Sequence, residues 1–184
     1  MEIPRFSEIS SNIIPMRKER VIYKGRVIRL ITKTVRLPNA NFIELELIRH
    51  PGAALIIPFL DTGKIILLRQ FRAVIGRYLY ELPAGTISPG ESALSCAKRE
   101  IVEETGYSAR KFMRLGSIYP VPGYSTEKIT IYKAFELDKA ASAPEADEVI
   151  KTCVLDKTGV RRLFRDRKIN DAKSICALTM CGWL

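Results

Sequence analysis

Residues 85–107 read GTISPGESALSCAKREIVEETGY, and this stretch decides how the rest of the chain is interpreted. Leu94, Ala97 and Ile101 recur at helical spacing, which predicts a helix over residues 91–105 with one apolar stripe. Gly106 suits its C-terminal end, because glycine readily takes the left-handed conformation that stops a helix. The glutamates of the segment then lie on a different stripe from the apolar residues.

Three of these glutamates, Glu100, Glu103 and Glu104, stand at positions i, i+3 and i+4. Side chains at that spacing share a helix face, with Cβ atoms about 5–6 Å apart. Three carboxylates so close repel one another unless a cation compensates them, and Mg²⁺ prefers carboxylate oxygens together with water and substrate phosphates. Glu91 lies at the first helical turn, where a negative charge is favourable, and can form an ion pair with Arg99.

Composition narrows the class of protein. The chain has 184 residues, four cysteines, one histidine and a net charge of +10. The cysteines form no CxxC pair, so reduced, mostly buried thiols are favoured over a zinc or redox site. The basic residues are dispersed apart from a mild cluster at residues 157–168, and no nucleic-acid-binding motif accompanies them. We interpret the charge as a solvated face with a general attraction for a polyphosphate, without a nucleic-acid partner.

The apolar runs are of strand length and too short to cross a bilayer. The N-terminal sequence MEIPRFSEIS lacks the basic and apolar regions of a signal peptide. These two observations predict a cytoplasmic protein with no membrane partner.

The chain alternates strand-like and helix-like segments around one core. We predict a loose arm over residues 1–18, loops over 72–80 and 138–147, and helices over 157–165 and 171–183 in addition to 91–105. Strands are predicted at 20–24, 27–35, 42–48, 53–60, 64–71, 112–118, 128–137 and 149–155. The mixture indicates an α+β fold, or an α/β/α sandwich.

The segment 85–107 resembles the Nudix box, Gly-x5-Glu-x7-Arg-Glu-U-x-Glu-Glu-x-Gly-U with U apolar or aromatic, at every fixed position. The resemblance implies a Nudix fold with a mixed β-sheet between helices, preceded here by a small N-terminal β-rich region. It also implies hydrolysis, assisted by Mg²⁺ or alternatively Mn²⁺, of a nucleoside diphosphate linked to another group.

The flanking segments resemble the ADP-ribose pyrophosphatase subgroup of that family. They are LRQFR at 68–72, YELPAG at 80–85, YPVPG at 119–123 and KINDAKSI at 168–175. The resemblance implies cleavage of ADP-ribose to AMP and ribose 5-phosphate. A related nucleoside-diphosphate sugar, such as GDP-mannose or a UDP-sugar, is the alternative substrate. A non-catalytic nucleotide-sugar sensor is the third alternative, but the intact glutamate pattern argues against it.

Site residues follow from the same resemblance, position by position. The carbonyl of Ala84 and the carboxylates of Glu100, Glu104 and Glu148 are implied as metal ligands. Substrate binding is expected at three positions, with Arg72 contacting phosphate; the three are Arg72, Glu81 and Pro122. The subgroup often has its general base two residues before the last ligand, where this chain has Ala146. The candidates for the base are therefore Glu148, Glu145, Glu103 and Asp147.

The resemblance further implies a homodimer. We expect residues 1–48 to form an arm and strands that take part in dimerisation, and residues 49–184 to form the Nudix hydrolase domain.

Overall fold

The computed structural model describes residues 19–61, 63–141 and 148–184, which fall into two compact units. One unit runs up to His50 and includes Val121–Thr126. The other comprises Pro51–Pro120 and Glu127–Leu184. The arm predicted for residues 1–18 lies outside the described residues.

The first unit is built on a three-stranded antiparallel sheet in the order β1-β2-β3. Its strands are β1 (Arg20–Lys24), β2 (Arg29–Arg36) and β3 (Phe42–Arg49). The segment Val121–Thr126 is tied to β3 by backbone hydrogen bonds, since Ile48 N donates to Tyr124 O at 2.8 Å and accepts through its carbonyl from Thr126 N at 3.0 Å. The small N-terminal β-rich region predicted from the sequence is confirmed.

The described part of the second unit contains seven strands, three α-helices and one 3₁₀ turn. Its strands are β4 (Ala53–Leu60), β5 (Lys64–Arg72), β6 (Arg77–Glu81), β7 (Ala84–Thr86), β8 (Tyr107–Ile118), β9 (Ile129–Lys139) and β10 (Ile150–Asp156). Its helices are α1 (Ala93–Thr105), α2 (Lys157–Arg165) and α3 (Ala172–Met180). The sheet order is β10-β5-β4-β9-β8, with β6 paired to β5 and β7 to β4. β4 and β9 pair in parallel, whereas β4 pairs with β5 and β9 pairs with β8 in antiparallel orientation. The sheet is therefore mixed, as predicted.

β4 runs through the middle of the unit and is buried on both faces. Ala54 and Ile56 point into one apolar cluster with Ala97 and Ile101 of α1. The alternate residues of β4 point into a second cluster, which includes Leu178 of α3 and residues of α2. Successive side chains of a strand alternate between faces, so this continuous apolar run places helices on both sides of the sheet. The α/β/α arrangement is thereby confirmed; no helix of the described residues is long and apolar enough to cross a membrane.

The candidate site lies where the chain passes from β6 to β7. β4 and β5 are in register next to their hairpin turn, at Phe59↔Ile65 and Leu60↔Lys64. Farther along, β5 pairs with β6 and β4 pairs with β7, so the chain crosses from one strand to the other between Glu81 and Ala84.

The loop predicted for residues 72–80 is wrong. A 3₁₀ turn covers Ala73–Ile75 and β6 starts at Arg77. Phe71 of β5 faces Tyr78 of β6, and this aromatic cross-strand pair stabilises a hairpin whose connection has no Asn-Gly or Asp-Gly turn signal.

Candidate active site

Helix α1 is fixed at both ends by its own sequence. Ser92 is the N-cap and its side chain accepts a hydrogen bond from Ser95 N at 3.0 Å. Gly106 ends the helix with φ 71°, where a residue with a Cβ would be strained. Burial of Ala97 and Ile101 against β4 fixes the helix rotation, and this rotation turns Glu100 and Glu104 towards β7.

Glu100 and Glu104 are both buried and lie against the first residues of β7. The backbone N–H of Ala84 donates to Glu104 Oε2 at 2.9 Å. A Cβ added to Gly85 would stand 1.7 Å from Glu100 Oε1, so only glycine leaves room for that carboxylate. Burial, followed by the charge of Glu100, raises the pKa of Glu104 to about 8. Burial also raises the pKa of Glu100.

Arg99 joins the loop after β7 to the helix. It donates to Glu91 Oε1 at 3.1 Å, to Glu100 Oε1 at 2.5 Å and to Glu103 Oε2 at 2.9 Å. It also donates to the carbonyl of Thr86 at 3.2 Å. The predicted Glu91–Arg99 ion pair is confirmed. Glu91 lies one residue before the N-cap Ser92 and accepts from Ser88 N, so it braces the loop instead of lying within the first turn.

A second charged network lies at the end of β6. Arg72 donates through Nε and Nη2 to the two oxygens of Glu81, both at 2.8 Å. Lys173 of α3 donates to the same carboxylate, which is 1% exposed. Burial acts to raise the pKa of Glu81, but its hydrogen bonds and charge contacts with Arg72 and Lys173 outweigh this and hold the pKa below the usual range. Glu81 is therefore an ionised, buried support for Arg72.

The two networks are electrostatically linked. After burial and Glu100, the charges of Glu148 and Arg72 also act on the pKa of Glu104, the first raising it and the second lowering it. Arg72 keeps 40% of its side chain exposed. Within the described residues its Nη1 has no hydrogen-bond partner, so N–H donors remain for an anion beside the carboxylates.

The donor set suits a hard divalent cation. Within the described residues, the carboxylate of Glu104 has a single hydrogen bond, from Ala84, although it lies beside another buried carboxylate. No three His, Cys, Asp or Glu side chains gather as a metal-binding group in residues 19–61, 63–141 and 148–184. Mg²⁺ fits such a site, because it is commonly held by one or two carboxylates with water and substrate phosphates supplying the other ligands.

The NUDIX domain model matches residues 49–175, more than half of the chain. The chain belongs to the Nudix family.

Individual relatives support the same assignment. An ADP-ribose pyrophosphatase from Bacillus subtilis (strain 168) is 36% identical over 159 residues, which is 85% of this chain and 86% of that protein. A methanol dehydrogenase activator from Bacillus methanolicus is 32% identical over 163 residues, or 88% of each protein. The solved structure of an ADP compounds hydrolase matches with a TM-score of 0.78 and 22% identity, covering 93% of this chain and 92% of that one. The predicted resemblance is confirmed, and the chain is a Nudix hydrolase.

The Nudix domain brings together most of the residues predicted for the site. Ala84, Glu100 and Glu104 are adjacent, Arg72 and Glu81 are paired, and the charge of Glu148, just before β10, acts on both helix glutamates. Their roles as metal ligands and substrate contacts stay predictions.

The remaining predicted residues are placed differently. Glu103 is bound by Arg99. Pro122 belongs to the loop that groups with the N-terminal sheet. Glu145, Ala146 and Asp147 lie outside the described residues.

Two side chains that hold the end of β6 were not predicted from the sequence: Lys173 contacts Glu81, and Ser174 accepts from Leu82 N. Lys173 and Ser174 stand in the segment KINDAKSI, which the resemblance marks without giving its side chains a role. The start of the helix predicted over 171–183 is confirmed, since Asp171 caps α3 and its side chain accepts from Ser174 N at 3.0 Å, while the helix ends earlier than predicted, at Met180. Nothing in the sequence pairs Lys173 with a glutamate 92 residues earlier.

Proposed function

We propose that the protein hydrolyses the diphosphate of ADP-ribose in a Mg²⁺-dependent reaction, giving AMP and ribose 5-phosphate. The observation that carries the proposal is the pair of buried carboxylates, Glu100 and Glu104, enclosed by β7 and electrostatically coupled to Arg72. The ADP-ribose pyrophosphatase of Bacillus subtilis, similar over 85% of this chain, supports the choice of substrate.

The cation site in this proposal is built on Glu100, Glu104 and the carbonyl of Ala84. Glu148, which does not complete a three-carboxylate group with them among the described residues, is proposed as the further ligand. Bound there, Mg²⁺ or Mn²⁺ would neutralise phosphate oxygens and lower the pKa of a water molecule. The rest of the work falls to the chain itself. Burial of the carboxylates excludes bulk water and strengthens their electrostatic effects. Gly85 keeps the space that the Glu100 carboxylate occupies.

Arg72 is proposed to bind the non-bridging oxygens of the diphosphate. Its guanidinium plane is fixed by the bidentate contact with Glu81, and a planar, permanently charged group suits phosphate recognition. As water attacks one phosphorus, the bond from that phosphorus to the bridging oxygen breaks and two phosphate monoesters leave. The cationic group offsets the charge that develops on the oxygens.

A carboxylate must take the proton of the attacking water. Glu148 and Glu145 are the proposed candidates before β10, and Glu103 is the candidate on α1. Glu103 shares Arg99 with Glu91 and Glu100, and this contact holds its side chain on the helix surface. Alanine variants of the three residues separate them, because the loss of the general base removes the rise of kcat with pH on the acid side of the profile, where the base loses its proton.

A substrate panel tests the proposal. ADP-ribose, GDP-mannose and a UDP-sugar are incubated with Mg²⁺, with Mn²⁺ or with EDTA, and the phosphate monoesters are quantified. We expect AMP and ribose 5-phosphate from ADP-ribose with metal only. A higher kcat/KM for GDP-mannose or the UDP-sugar would transfer the same chemistry to that substrate, and no turnover of any of them would overturn the proposal.

Glu104→Gln tests the cation site within that assay. Glutamine keeps the size of the side chain but removes its charge, so kcat should fall about 100-fold or more, the effect of removing one preorganised charge-stabilising contact. Thermal unfolding should show an intact fold. Near-normal turnover by this variant would exclude Glu104 as a ligand.

We also propose that the protein is a homodimer and that residues 1–48 take part in dimerisation. Apolar side chains remain exposed on the edge strand β1, where Val21 and Ile22 are about half exposed and Tyr23 more so. Contiguous exposed apolar surface on an edge strand favours association with another chain.

A further inference from the structure

The C-terminal helix α3 reaches the end of β6 with two consecutive residues. Lys173 donates to Glu81 and, at 2.9 Å, pairs with Asp171 Oδ1. Ser174 accepts from Leu82 N at 2.8 Å through a fully buried hydroxyl oxygen. Neighbouring residues of the helix thus hold neighbouring residues of the strand end.

These contacts of α3 lie, along the chain, immediately before the segment that contacts the carboxylates of α1. Two residues, Leu82 and Pro83, separate Glu81 from Ala84, whose N–H binds Glu104. Pro83 is itself fixed, because its carbonyl accepts from Ile56 N at 2.8 Å. The strand end is therefore anchored by the sheet and by α3, and Lys173 is the component that touches a charged side chain of the site.

Glu81 links Lys173 to Arg72, because its carboxylate accepts hydrogen bonds from both side chains. Oε2 of Glu81 accepts from both Lys173 and Arg72 Nη2, while Oε1 accepts from Arg72 Nε. A carboxylate that accepts from Arg72 alone can rotate together with the guanidinium. A second cation on one oxygen fixes the carboxylate plane, and a bidentate pair then fixes the guanidinium plane.

We propose that Lys173 is a positioning residue that acts through Glu81 to hold Arg72 in the orientation that binds the diphosphate. The proposal rests on the function proposed above for Arg72. The side chain of Lys173 is 17% exposed and is engaged by Glu81 and Asp171. Lys173 therefore supports the substrate contact of Arg72 without touching the substrate itself.

Lys173→Met is compared with Lys173→Arg and with the control Lys111→Met, which removes a lysine charge from an exposed position on β8. KM and kcat for ADP-ribose are measured, together with Kd for its non-hydrolysable α,β-methylene analogue. We expect Lys173→Met to raise KM and Kd about tenfold, the effect of a charged hydrogen bond. The fall in kcat should be smaller, because the carboxylates of α1 are untouched. Lys173→Arg should recover part of the affinity, and Lys111→Met should match the unmodified protein.

A double-mutant cycle shows the route of the effect. Lys173→Met is combined with Glu81→Gln, which leaves no buried carboxylate without a cation and so protects the fold. If Lys173 acts through Glu81, its substitution should not raise KM further in the Glu81→Gln background. A persisting rise would mean a direct substrate contact and would overturn the proposal, as would an unchanged KM and Kd in Lys173→Met.

Arg72→Ala separates this inference from the proposed function. A raised KM in Arg72→Ala, together with an unchanged KM in Lys173→Met, would refute the role of Lys173 alone. An unchanged KM in Arg72→Ala would refute the proposed diphosphate contact and the inference that depends on it. A drop in thermal stability with normal Kd in folded Lys173→Met would assign the lysine a purely structural role.

Discussion

At the level of single residues, Gly85 connects the sequence motif to the geometry of the site. The nearest atoms to a Cβ at this position all belong to the carboxylate of Glu100, the closest at 1.7 Å. Since those atoms are the end of a side chain and not backbone, a methyl group would displace the carboxylate while leaving the strand β7 in place. Gly85 is therefore needed to leave room for the Glu100 carboxylate, and not for a backbone conformation that only glycine adopts.

Gly85→Ala is accordingly expected to separate activity from stability. The free energy of unfolding of the metal-free protein should change little, while Mg²⁺ affinity and kcat should fall because Glu100 is displaced. Calorimetric Mg²⁺ titration and ADP-ribose hydrolysis measure the two effects. Normal Mg²⁺ binding in this variant would show that the cation does not depend on the position of Glu100.

The pKa of Glu104 makes the metal-free protein sensitive to pH. Burial and the charge of Glu100 raise this pKa to about 8, compared with 4.5 for the ordinary group. Between these values the unfolded chain releases the proton and the folded protein keeps it, so the folded state becomes less favourable as pH rises. Glu100, whose pKa is also raised, acts in the same direction. The lowered pKa of Glu81 has its effect below this range.

In EDTA, the free energy of unfolding should therefore fall from about pH 5 to about pH 8, by at most about 1.4 kcal/mol per pH unit for one proton. In the Glu104→Gln variant the side chain at this position has no proton to release, so the free energy of unfolding should fall less steeply with pH. Saturating Mg²⁺ should stabilise the unmodified protein most at the higher pH. Urea unfolding at several pH values measures the slopes. Equal slopes in the two proteins would mean that Glu104 is ionised in the metal-free fold.

At the level of elements, the sequence was most informative where one physical rule dominated. The run Ala53–Leu60 predicted β4 at its observed bounds because a strand buried on both faces is apolar without interruption. The segment 157–165 predicted α2, and the glutamate spacing predicted a shared face for Glu100 and Glu104.

The rest depended on tertiary contacts that no local pattern contains. β6 was missed because no Asn-Gly or Asp-Gly turn signal precedes it, and its pairing with β5 includes the facing rings of Phe71 and Tyr78. The hold of α3 on Glu81 joins residues 92 positions apart. Periodicity reports which face of an element is buried, whereas these contacts depend on which elements meet.

Ser174→Ala tests the junction between α3 and the end of β6. The substitution leaves the buried N–H of Leu82 without its acceptor, which should lower the free energy of unfolding by about 1–3 kcal/mol. Thr179→Ala is the matched control, since it removes an exposed hydroxyl that bonds within the same helix. Its effect should stay within about 0.5 kcal/mol. Equal stability of the two variants in urea unfolding would mean that α3 does not anchor the strand through Ser174.

At the level of the whole molecule, the exposed apolar surface of β1 remains to be accounted for. Among the described residues, β1 has a neighbouring strand on one side only, and every one of its residues is exposed. A stable soluble chain seldom leaves such an edge uncovered, because its N–H and C=O groups and apolar side chains offer a surface for pairing. A second copy of the chain is the occupant proposed above.

The paired substitution Val21→Glu with Tyr23→Glu is expected to shift the protein from dimer to monomer, because like charges would then face each other across a buried interface. Val154→Glu is the control, since Val154 of β10 is 48% exposed and Val21 is 50% exposed. Sedimentation and light scattering over a range of concentrations measure the dimer dissociation constant, which should rise only in the β1 variant. An unmodified protein that sediments as a monomer, or an equal shift in both variants, would exclude β1 as the dimer contact. Normal kcat/KM for ADP-ribose in a monomeric β1 variant would further show that one chain holds a complete substrate site.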